Sequence, residues 1–318
     1  MNKITIAGLQ LGTSQEGNCE TLSQIISFEK DIVNCGAKLV VMPEALLGGY
    51  PKGGIFGTYM GYRLPEGKVE FEEYYKNAID LNGPEVKALA ELSKRTQASL
   101  VVGVIEREGS TLYCSALFFD PKIGLCKKHR KLMPTGTERL VWGMGDGSTL
   151  SVFETEAGLA GAGICWENFM PLFRTAMYAK GLKIWCAPTV DERDMWQASM
   201  RHIAYEGRCF VISACQVQAS PNELGIDIPH WDPDRALIRG GSLIVNPMGD
   251  IIAGPLYSEK GLVVADIDPD DLIRARYDFD VVGHYSRPDM FSLKVNENVQ
   301  KSVVFYSKEN DKIDGGCG

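Results

Sequence analysis

The chain has 318 residues, a formal net charge of −8 and a hydrophobic fraction of 45%, values typical of a globular protein with a substantial core. The negative charge argues against nucleic-acid binding, which needs a basic surface, and no apolar run is long enough to cross a membrane. The nine cysteines show neither a C-x-x-C pair nor regular spacing, and the first residues lack a secretion signal, so we expect reduced thiols and a cytoplasmic protein.

Apolar periodicity, glycines and prolines predict strands and helices throughout most of the chain. Strands are predicted over residues 3–11, 38–42, 98–106, 111–119, 125–131, 149–154, 157–164, 183–187, 209–216, 242–246, 251–253 and 262–268. Helices are predicted over residues 18–34, 84–95, 171–180 and 194–206, with a short one from 269. Residues 47–64 and 220–239 are predicted to be irregular, apolar periodicity fades after residue 284, and residues 308–318 are expected to be mobile.

The predicted strands outnumber the long helices and occur both in hairpins and in β-α pairs. This mixture favours an α/β fold in which two mixed β-sheets pack face to face with helices outside, a four-layer α-β-β-α sandwich. No linker or internal repeat divides the chain, so we expect its secondary structure to form one continuous architecture.

Three reactive side chains follow the carboxyl ends of predicted strands, namely those of Glu44, Lys131 and Cys165. Such strand ends are where α/β sheets commonly bind small molecules, so we expect the three side chains to share a cleft. Glu138 lies on the same loop as Lys131 and is a fourth candidate for this cleft.

Cys165 is expected on a sharp turn between a strand and the helix that begins at Pro171, near unpaired backbone N–H groups. That position suits a nucleophile, although a buried cysteine is as often a small apolar core residue. A thiol pKa of about 8.5 leaves little thiolate at neutral pH, so catalysis needs a base. Glu44 could accept the proton, with a loop-capping role as its alternative. Between carboxylates, Lys131 would remain an ammonium and stabilise negative charge.

Three short motifs carry a resemblance to a known family. They are Val41-Met42-Pro43-Glu44, His129-Arg130-Lys131-Leu132 and Gly163-Ile164-Cys165-Trp166-Glu167-Asn168. These motifs resemble the glutamate, lysine and cysteine motifs of the carbon–nitrogen hydrolase (nitrilase) superfamily. Further blocks resemble the true nitrilase branch more narrowly, and they are Pro134-Thr135-Gly136-Thr137-Glu138-Arg139, Ala187-Pro188-Thr189 and Gly283-His284-Tyr285-Ser286-Arg287-Pro288-Asp289. The resemblance therefore covers nearly the whole chain.

The resemblance implies hydrolysis of an organic nitrile to a carboxylic acid and ammonia, without metal or other cofactor, through a thioimidate and a thioester. It implies that Glu44, Lys131 and Cys165 are catalytic, that Glu138 supports catalysis by orienting Lys131 and the substrate, and that the Trp166 backbone N–H stabilises the charged intermediate. Four residues beside the matched motifs are expected to line the substrate pocket, namely Tyr50, Trp142, Thr189 and Trp196. For each of them, ordinary packing in the core is the alternative.

Three further residues near the motifs are expected to have structural roles. His129 is interpreted as a solvated or structural residue rather than a proton shuttle, and Glu167 and Asn168 are expected to fix the turn at Cys165. The other histidines are far apart in sequence and do not have the spacing of metal ligands, so no metal site is predicted.

The resemblance also predicts the organisation of the protein. Residues 1–285 are expected to form the hydrolase domain, and residues 286–318 a tail with oligomer contacts and a mobile end. Family members usually form dimers and true nitrilases often extend into spiral filaments, so a homodimer building block and a higher homo-oligomer are expected.

Three other functions remain open at the level of the sequence. An amidase or carbamoyl hydrolase of the same superfamily uses the same three residues on C(=O)–N bonds. The substrate could be cyanide rather than an organic nitrile. A catalytically silent binding protein on the same fold is the third alternative, and the presence of all three reactive side chains argues against it.

Overall fold

The computed structural model describes residues 3–304, which form an α/β protein of two β-sheets, a small hairpin and surrounding helices. The strands, in chain order, are β1 (Ile4–Gln10), β2 (Leu39–Val41), β3 (Thr58–Tyr59), β4 (Tyr62–Arg63), β5 (Ser99–Glu108), β6 (Thr111–Asp120), β7 (Gly124–Arg130), β8 (Val152–Thr155), β9 (Gly158–Ala162), β10 (Ile184–Thr189), β11 (Phe210–Cys215), β12 (Val217–Gln218), β13 (Ile238–Val245), β14 (Ile251–Tyr257) and β15 (Gly261–Ile267).

The helices lie between the strands along the chain. The α-helices are α1 (Asn18–Ser27), α2 (Glu29–Cys35), α3 (Pro65–Asn77), α4 (Pro84–Thr96), α5 (Pro171–Ala179), α6 (Asp194–Gly207), α7 (Pro221–Leu224) and α8 (Asp270–Ala275). Three short 3₁₀-helices cover Gly136–Leu140, Gly147–Thr149 and Cys165–Phe169. No helix within residues 3–304 has both the length and the apolar character that a membrane span needs.

Both large sheets are mixed. The first has the strand order β15-β1-β2-β5-β6-β7. Its β1–β2 and β2–β5 pairs are parallel, and its other pairs are antiparallel. The second has the order β12-β13-β11-β10-β9-β8, with β14 paired to β13, and here β9, β10 and β11 form the parallel centre. The parallel connections pass through helices, as βαβ units require.

The strands place alternate side chains in two different apolar layers. On β2, Leu39 and Val41 face the second sheet, whereas Val40 faces helices α1, α2 and α4. The outer face of the second sheet packs in the same way against α5 and α6. These layers confirm the predicted four-layer α-β-β-α sandwich.

Two segments differ from the sequence-based prediction. Residues 18–34 form two helices rather than one, because the chain bends at Phe28, and both Ile25 and Ile32 are then buried on the first sheet. Helix α3 was not predicted, since Gly67 is its one buried residue and it carries no apolar stripe. The expectation of a mobile segment at 308–318 lies outside the described residues.

Two segments predicted as irregular contain short regular elements. The segment 47–64 includes the β3–β4 hairpin, in which the rings of Tyr59 and Tyr62 stack with centroids 5.0 Å apart. The segment 220–239 includes α7, which Ser220 caps by accepting a hydrogen bond from the Glu223 N–H. These elements are too short to produce a periodic apolar pattern.

Candidate active site

Glu44 lies immediately beyond β2, where the chain continues alongside β5. The N–H groups of Met42 and Leu46 donate to Val101 and Gly103 on that strand and hold the turn between them. Gly103 is required at this point, because a Cβ there would lie 2.1 Å from the Pro43 carbonyl oxygen. The Glu44 side chain is therefore fixed in the interior and is fully buried.

Lys131 is a buried ammonium between two carboxylates. It follows β7, and its Nζ donates to Glu44 Oε1 at 2.6 Å and to Glu138 Oε2 at 2.8 Å. Its Nζ also lies 5.4 Å from the centroid of the Trp142 ring. Burial opposes its charge, but the negative charges of Glu44 and its neighbours prevail and raise the pKa of Lys131 well above its ordinary value. Lys131 is therefore charged at neutral pH.

Glu138 is held by both of its oxygens. Its Oε1 accepts from the Tyr50 hydroxyl at 2.9 Å, and its Oε2 accepts from Lys131 and from the Thr135 N–H. The Thr135 bond belongs to a capping box on the 3₁₀-helix Gly136–Leu140, so a local turn fixes the carboxylate. Glu138 therefore holds Lys131 in place and has no free oxygen of its own.

Glu44, in contrast, keeps one oxygen unoccupied. Its Oε1 accepts from Lys131 and, at 3.6 Å, from the thiol of Cys114, whereas Oε2 has no hydrogen-bond partner within residues 3–304. Burial raises the pKa of Glu44. The charge of Lys131 and the thiol of Cys165 both act to lower this pKa, but burial prevails. A buried acceptor without a donor is costly, so Oε2 is suited to receive a proton.

Cys165 begins a 3₁₀-helix in a conformation that is unusual for a residue with a side chain. Its φ is +50°, in the left-handed region, and its Sγ accepts a hydrogen bond of 3.3 Å from Thr189 at the end of β10. Such strain costs on the order of 1 kcal/mol and persists where surrounding contacts enforce it, commonly at functional sites. The Trp166 N–H that follows has no acceptor among residues 3–304 and is available to an anionic group.

Asn168 and Glu167 enforce this turn. Asn168 Nδ2 donates to the carbonyl oxygens of Gly163 and Cys165, at 2.8 and 2.7 Å, and its Oδ1 accepts from Trp185. Glu167 accepts from the Ile164 N–H and from the ring of His129, which is also buried. These contacts agree with the expectation that both residues fix the turn and that His129 is structural.

The Cys165 thiol is protonated at rest. Burial raises its pKa well above the ordinary value, and the charge of Glu44 acts in the same direction, whereas Lys131 opposes both. A neutral buried thiol is a weak nucleophile, so attack requires transfer of its proton to a nearby base. The arrangement can therefore act as a nucleophile, a proton acceptor and a fixed cation around one point.

A cavity of about 300 Å³ opens beside Cys165. Its lining residues are Tyr50, Lys52, Thr135, Glu138, Cys165, Trp166, Val190, Asp191, Glu192, Arg193, Trp231 and Arg235. The volume is at the small end of the range for ligand pockets, which fits a small molecule. Within residues 3–304, no three His, Cys, Asp or Glu side chains converge as a metal-binding group.

The residues predicted to line the pocket lie in different places. Tyr50 lines the cavity, whereas Thr189 is not among its lining residues and donates a hydrogen bond to the Cys165 sulfur. Trp142 packs edge-on against Tyr50, behind the cavity wall. The structure does not bring Trp196 to the cavity, because its ring is buried among α6 and the outer face of the second sheet, where Nε1 donates to Ser213.

Several lining residues were not found from the sequence. Lys52 and Trp231 lie in segments that were predicted to be irregular, and Asp191, Glu192 and Arg193 connect β10 to α6. The one signal was the glycine-rich composition of the loop around Lys52, which marks a segment but not a contact. The approach of Trp231 to Lys52 depends on tertiary packing.

A family model described as carbon–nitrogen hydrolase matches residues 3–277. The chain belongs to the carbon–nitrogen hydrolase family. This carbon–nitrogen hydrolase is 50% identical over 307 residues to an aliphatic nitrilase of Sinorhizobium fredii (strain HH103), a match that covers 96% of this chain and 99% of that protein. It is 52% identical over 298 residues to a bifunctional nitrilase/nitrile hydratase, NIT4A, of Nicotiana tabacum, covering 91% of this chain and 85% of that protein.

The fold of this hydrolase also matches a solved structure. A carbon–nitrogen hydrolase from Helicobacter pylori G27 superposes with a TM-score of 0.72 at 18% identity, covering 91% of this chain and 97% of that one. At this identity the likeness concerns the architecture alone, and it agrees with the four-layer sandwich described above.

Proposed function

We propose that this carbon–nitrogen hydrolase is a nitrilase, which converts a small organic nitrile to a carboxylic acid and ammonia. The relatives at about half identity over most of the chain are named as nitrilases, which supports nitriles rather than amides as the substrate. The observation that carries the chemistry is the buried Lys131 ammonium, hydrogen-bonded to Glu44 and adjacent to the strained Cys165 turn.

In the first half of the reaction, Cys165 Sγ attacks the nitrile carbon and its proton passes to Glu44 Oε2. Glu44 then passes this proton to the nitrile nitrogen, and the product is a thioimidate covalently bound to the sulfur. Lys131 Nζ and the Trp166 N–H stabilise the negative charge that develops on the former nitrile. The free oxygen of Glu44 supports its role as the proton acceptor, and the unpaired N–H of Trp166 supports its role in stabilising negative charge.

In the second half, water replaces nitrogen. Glu44 activates a water molecule that adds to the thioimidate carbon, and the tetrahedral intermediate expels ammonia to leave a thioester. A second water hydrolyses the thioester; its oxygen enters the released acid, and one of its protons restores the thiol. If the sulfur leaves the tetrahedral intermediate instead of ammonia, the product is the amide. The relative from Nicotiana tabacum is named a bifunctional nitrilase/nitrile hydratase, which combines both activities.

The experiment that tests this function measures acid, amide and ammonia from one aliphatic and one aromatic nitrile, from the matching amides and from cyanide. Acid and ammonia in equal amounts from a nitrile, at a rate above that from the matching amide, support a nitrilase. Turnover of the amide alone would indicate the amidase alternative, and turnover of cyanide alone would indicate a cyanide-hydrolysing enzyme.

Replacing Lys131 with arginine should lower kcat on a nitrile by about 10² to 10³, although the positive charge is kept. Lys131 is fully buried and its point charge bridges Glu44 and Glu138, whereas a planar guanidinium cannot take the same position without displacing one carboxylate. Steady-state kinetics at saturating substrate give the measurement.

The control for this variant is Lys128→Arg on the preceding strand. Lys128 pairs with the buried Glu106 at 2.6 Å, so the substitution has the same chemistry at a site away from the cavity. It should keep kcat within a few-fold of the parent. A Lys131→Arg enzyme that remains within tenfold of the parent would contradict a fixed-geometry role for the ammonium.

The proposal also includes assembly and location. Large apolar side chains are exposed on the segment after Cys165 and on α6, including Phe169, Leu172 and Met195, which supports a homodimer that buries them. Residues 286–318 are proposed to add contacts that extend dimers into a filament. Light scattering should give a mass well above that of a dimer, and a monomeric mass would contradict this part.

A cytoplasmic location is proposed on the basis of the cysteines. The eight cysteines within the described residues are all free thiols, as is usual in a reducing compartment.

A further inference from the structure

The cavity next to Cys165 is lined by three cations and three carboxylates, and one of these carboxylates, Glu138, is already bound by Lys131. Lys52, Arg193 and Arg235 face Asp191 and Glu192. Asp191 is held by Arg193 at 2.5 Å and by the Trp166 ring N–H at 2.8 Å. Glu192 is held by Arg235 at 3.3 Å and by the backbone N–H of Arg239. All three carboxylates are therefore paired, and the ammonium of Lys52 is the cation that is left over.

Lys52 is held in place although it has no anionic partner. Within residues 3–304 it forms no ion pair and its Nζ donates no hydrogen bond, but the Nζ lies 4.9 Å from the centroid of the Trp231 ring. Lys52 also borders a neighbouring cavity of about 500 Å³, whereas Trp231 lines the Cys165 cavity and not the other. The ammonium group therefore lies against a side chain that lines the cavity containing the thiol.

The position of Lys52 in the chain is linked to the reacting groups. Tyr50, two residues earlier, donates to Glu138, which in turn binds Lys131. The Lys52 N–H donates to the Tyr50 carbonyl oxygen at 2.8 Å, and the Gly54 N–H donates to that of Pro51 at 3.0 Å, so a tight turn fixes the segment. A ligand that contacts Lys52 would thus have its other end near the catalytic groups.

The electrostatic environment of Lys52 favours an incoming anion. Burial lowers the pKa of Lys52 and Arg235 adds repulsion, and these effects outweigh Glu192, Cys215 and Asp191, which act in the opposite direction. A half-buried ammonium without a hydrogen-bond acceptor is unfavourable, and a carboxylate that reaches it gains a charge-assisted hydrogen bond in a partly water-excluded site. An incoming amine would instead have to displace an arginine from Asp191 or Glu192.

We infer that the preferred substrates are cyano-carboxylates, in which the nitrile carbon reaches Cys165 while a carboxylate at the far end of the molecule binds Lys52. The small volume of the cavity fits a short chain between the two groups. This inference rests on the proposed nitrilase function, and it adds the chemical class of the substrate and a residue that recognises it.

The test compares straight-chain cyano-carboxylates of increasing length with methyl ketones of the same length, which replace the carboxylate by a neutral group of similar shape. For the best length, kcat/KM should favour the carboxylate by roughly 10- to 100-fold, mainly through KM. Lys52→Met should reduce this preference to within a few-fold, Lys52→Arg should keep part of it, and Lys122→Met on the exposed β6–β7 turn should leave the preference as in the parent.

Three kinetic results would overturn the inference. One is an absence of preference for the carboxylate at every length, and another is a preference that persists in Lys52→Met. The third is faster turnover of the corresponding amino-nitriles, which would show that the Lys52 end of the cavity binds a cation rather than a carboxylate.

Binding to Cys165→Ala, measured by calorimetry, separates this inference from the proposed function. If the parent hydrolyses none of the nitriles, the nitrilase proposal fails. Binding of the cyano-carboxylate that is tighter than binding of the ketone, and that weakens at least tenfold in Cys165→Ala/Lys52→Met, would still support the Lys52 site. Equal binding of the two compounds would reject it.

Discussion

Cys165→Ala should form no measurable acid from any nitrile that the parent enzyme hydrolyses, a loss on the order of 10⁵-fold or more in kcat. Alanine removes the sulfur that is proposed to attack the nitrile carbon, and neither water nor a neighbouring thiol can replace it at the same point. Acid release measured over hours at high enzyme concentration, together with the intact mass of acid-quenched enzyme, should show neither product nor a covalent adduct. The parent should show the mass of a substrate-derived adduct on one cysteine.

The matched control is Cys209→Ala. Cys209 is also fully buried and also a free thiol, but it lies in the outer layer of the second sheet with α6. This variant should retain the activity of the parent and lose only the small stability contribution of one buried sulfur. Turnover by Cys165→Ala above about one-thousandth of the parent value, in enzyme free of parent protein, would reject covalent catalysis by this residue.

The strain at Cys165 gives this prediction a structural basis beyond the identity of the residue. A buried core cysteine would sit in an ordinary strand conformation, as Cys186 does on β10. Cys165 instead has a left-handed backbone, held by Asn168 and Glu167, and its carbonyl oxygen is bound by the Asn168 amide. The turn points the sulfur into the cavity and leaves the next N–H unpaired.

The positions of the reactive residues could be predicted because each follows a strand with a clear apolar pattern. The sequence locates the ends of β2 and β7 within one or two residues. Two antiparallel pairings, β5–β6 and β6–β7, give β7 the same direction as β2, so Glu44 and Lys131 follow strand ends at one edge of the sheet. The four-layer architecture followed from the same patterns. These patterns could not show that both oxygens of Glu138 accept hydrogen bonds while one oxygen of Glu44 has no donor. That difference depends on side-chain geometry across three loops.

The pocket was less predictable than the reactive groups. Trp196 was expected there because it follows a matched motif, but helical periodicity turns its ring onto the sheet behind the site. Lys52 and Trp231 were not expected there, because they are about 180 residues apart and meet through loops that have no regular pattern. Tertiary contacts between irregular segments are the information that periodicity does not contain.

Glu44→Gln should lower kcat by about 10² to 10⁴ while changing KM little, since general-base catalysis contributes this much and the substrate's far end is unaffected. Glutamine keeps the shape of the side chain and an oxygen that can accept from Lys131, but its amide nitrogen cannot take a proton from Cys165. The same residue sets an expected pH dependence. Burial raises the pKa of Glu44 above its ordinary value of 4.5, so the carboxylate becomes protonated, and ceases to be a base, at a pH above 4.5.

As the pH is lowered, kcat/KM of the parent should therefore decrease before pH 4.5 is reached. The residual activity of Glu44→Gln should not show this decrease.

The control for Glu44→Gln is Glu106→Gln. Glu106 is equally buried and is bound by Lys128 and Arg130, but these cations hold its pKa below the ordinary value and it lies outside the cavity. Its replacement should lower stability and leave the decrease of kcat/KM at acid pH in place. If Glu44→Gln kept kcat within tenfold, Glu138 would be the next base to consider, yet both oxygens of Glu138 already accept hydrogen bonds from Tyr50, Lys131 and Thr135. Glu44 Oε2 is the buried carboxylate oxygen within residues 3–304 that lacks a donor, and this is the physical reason to place the base there.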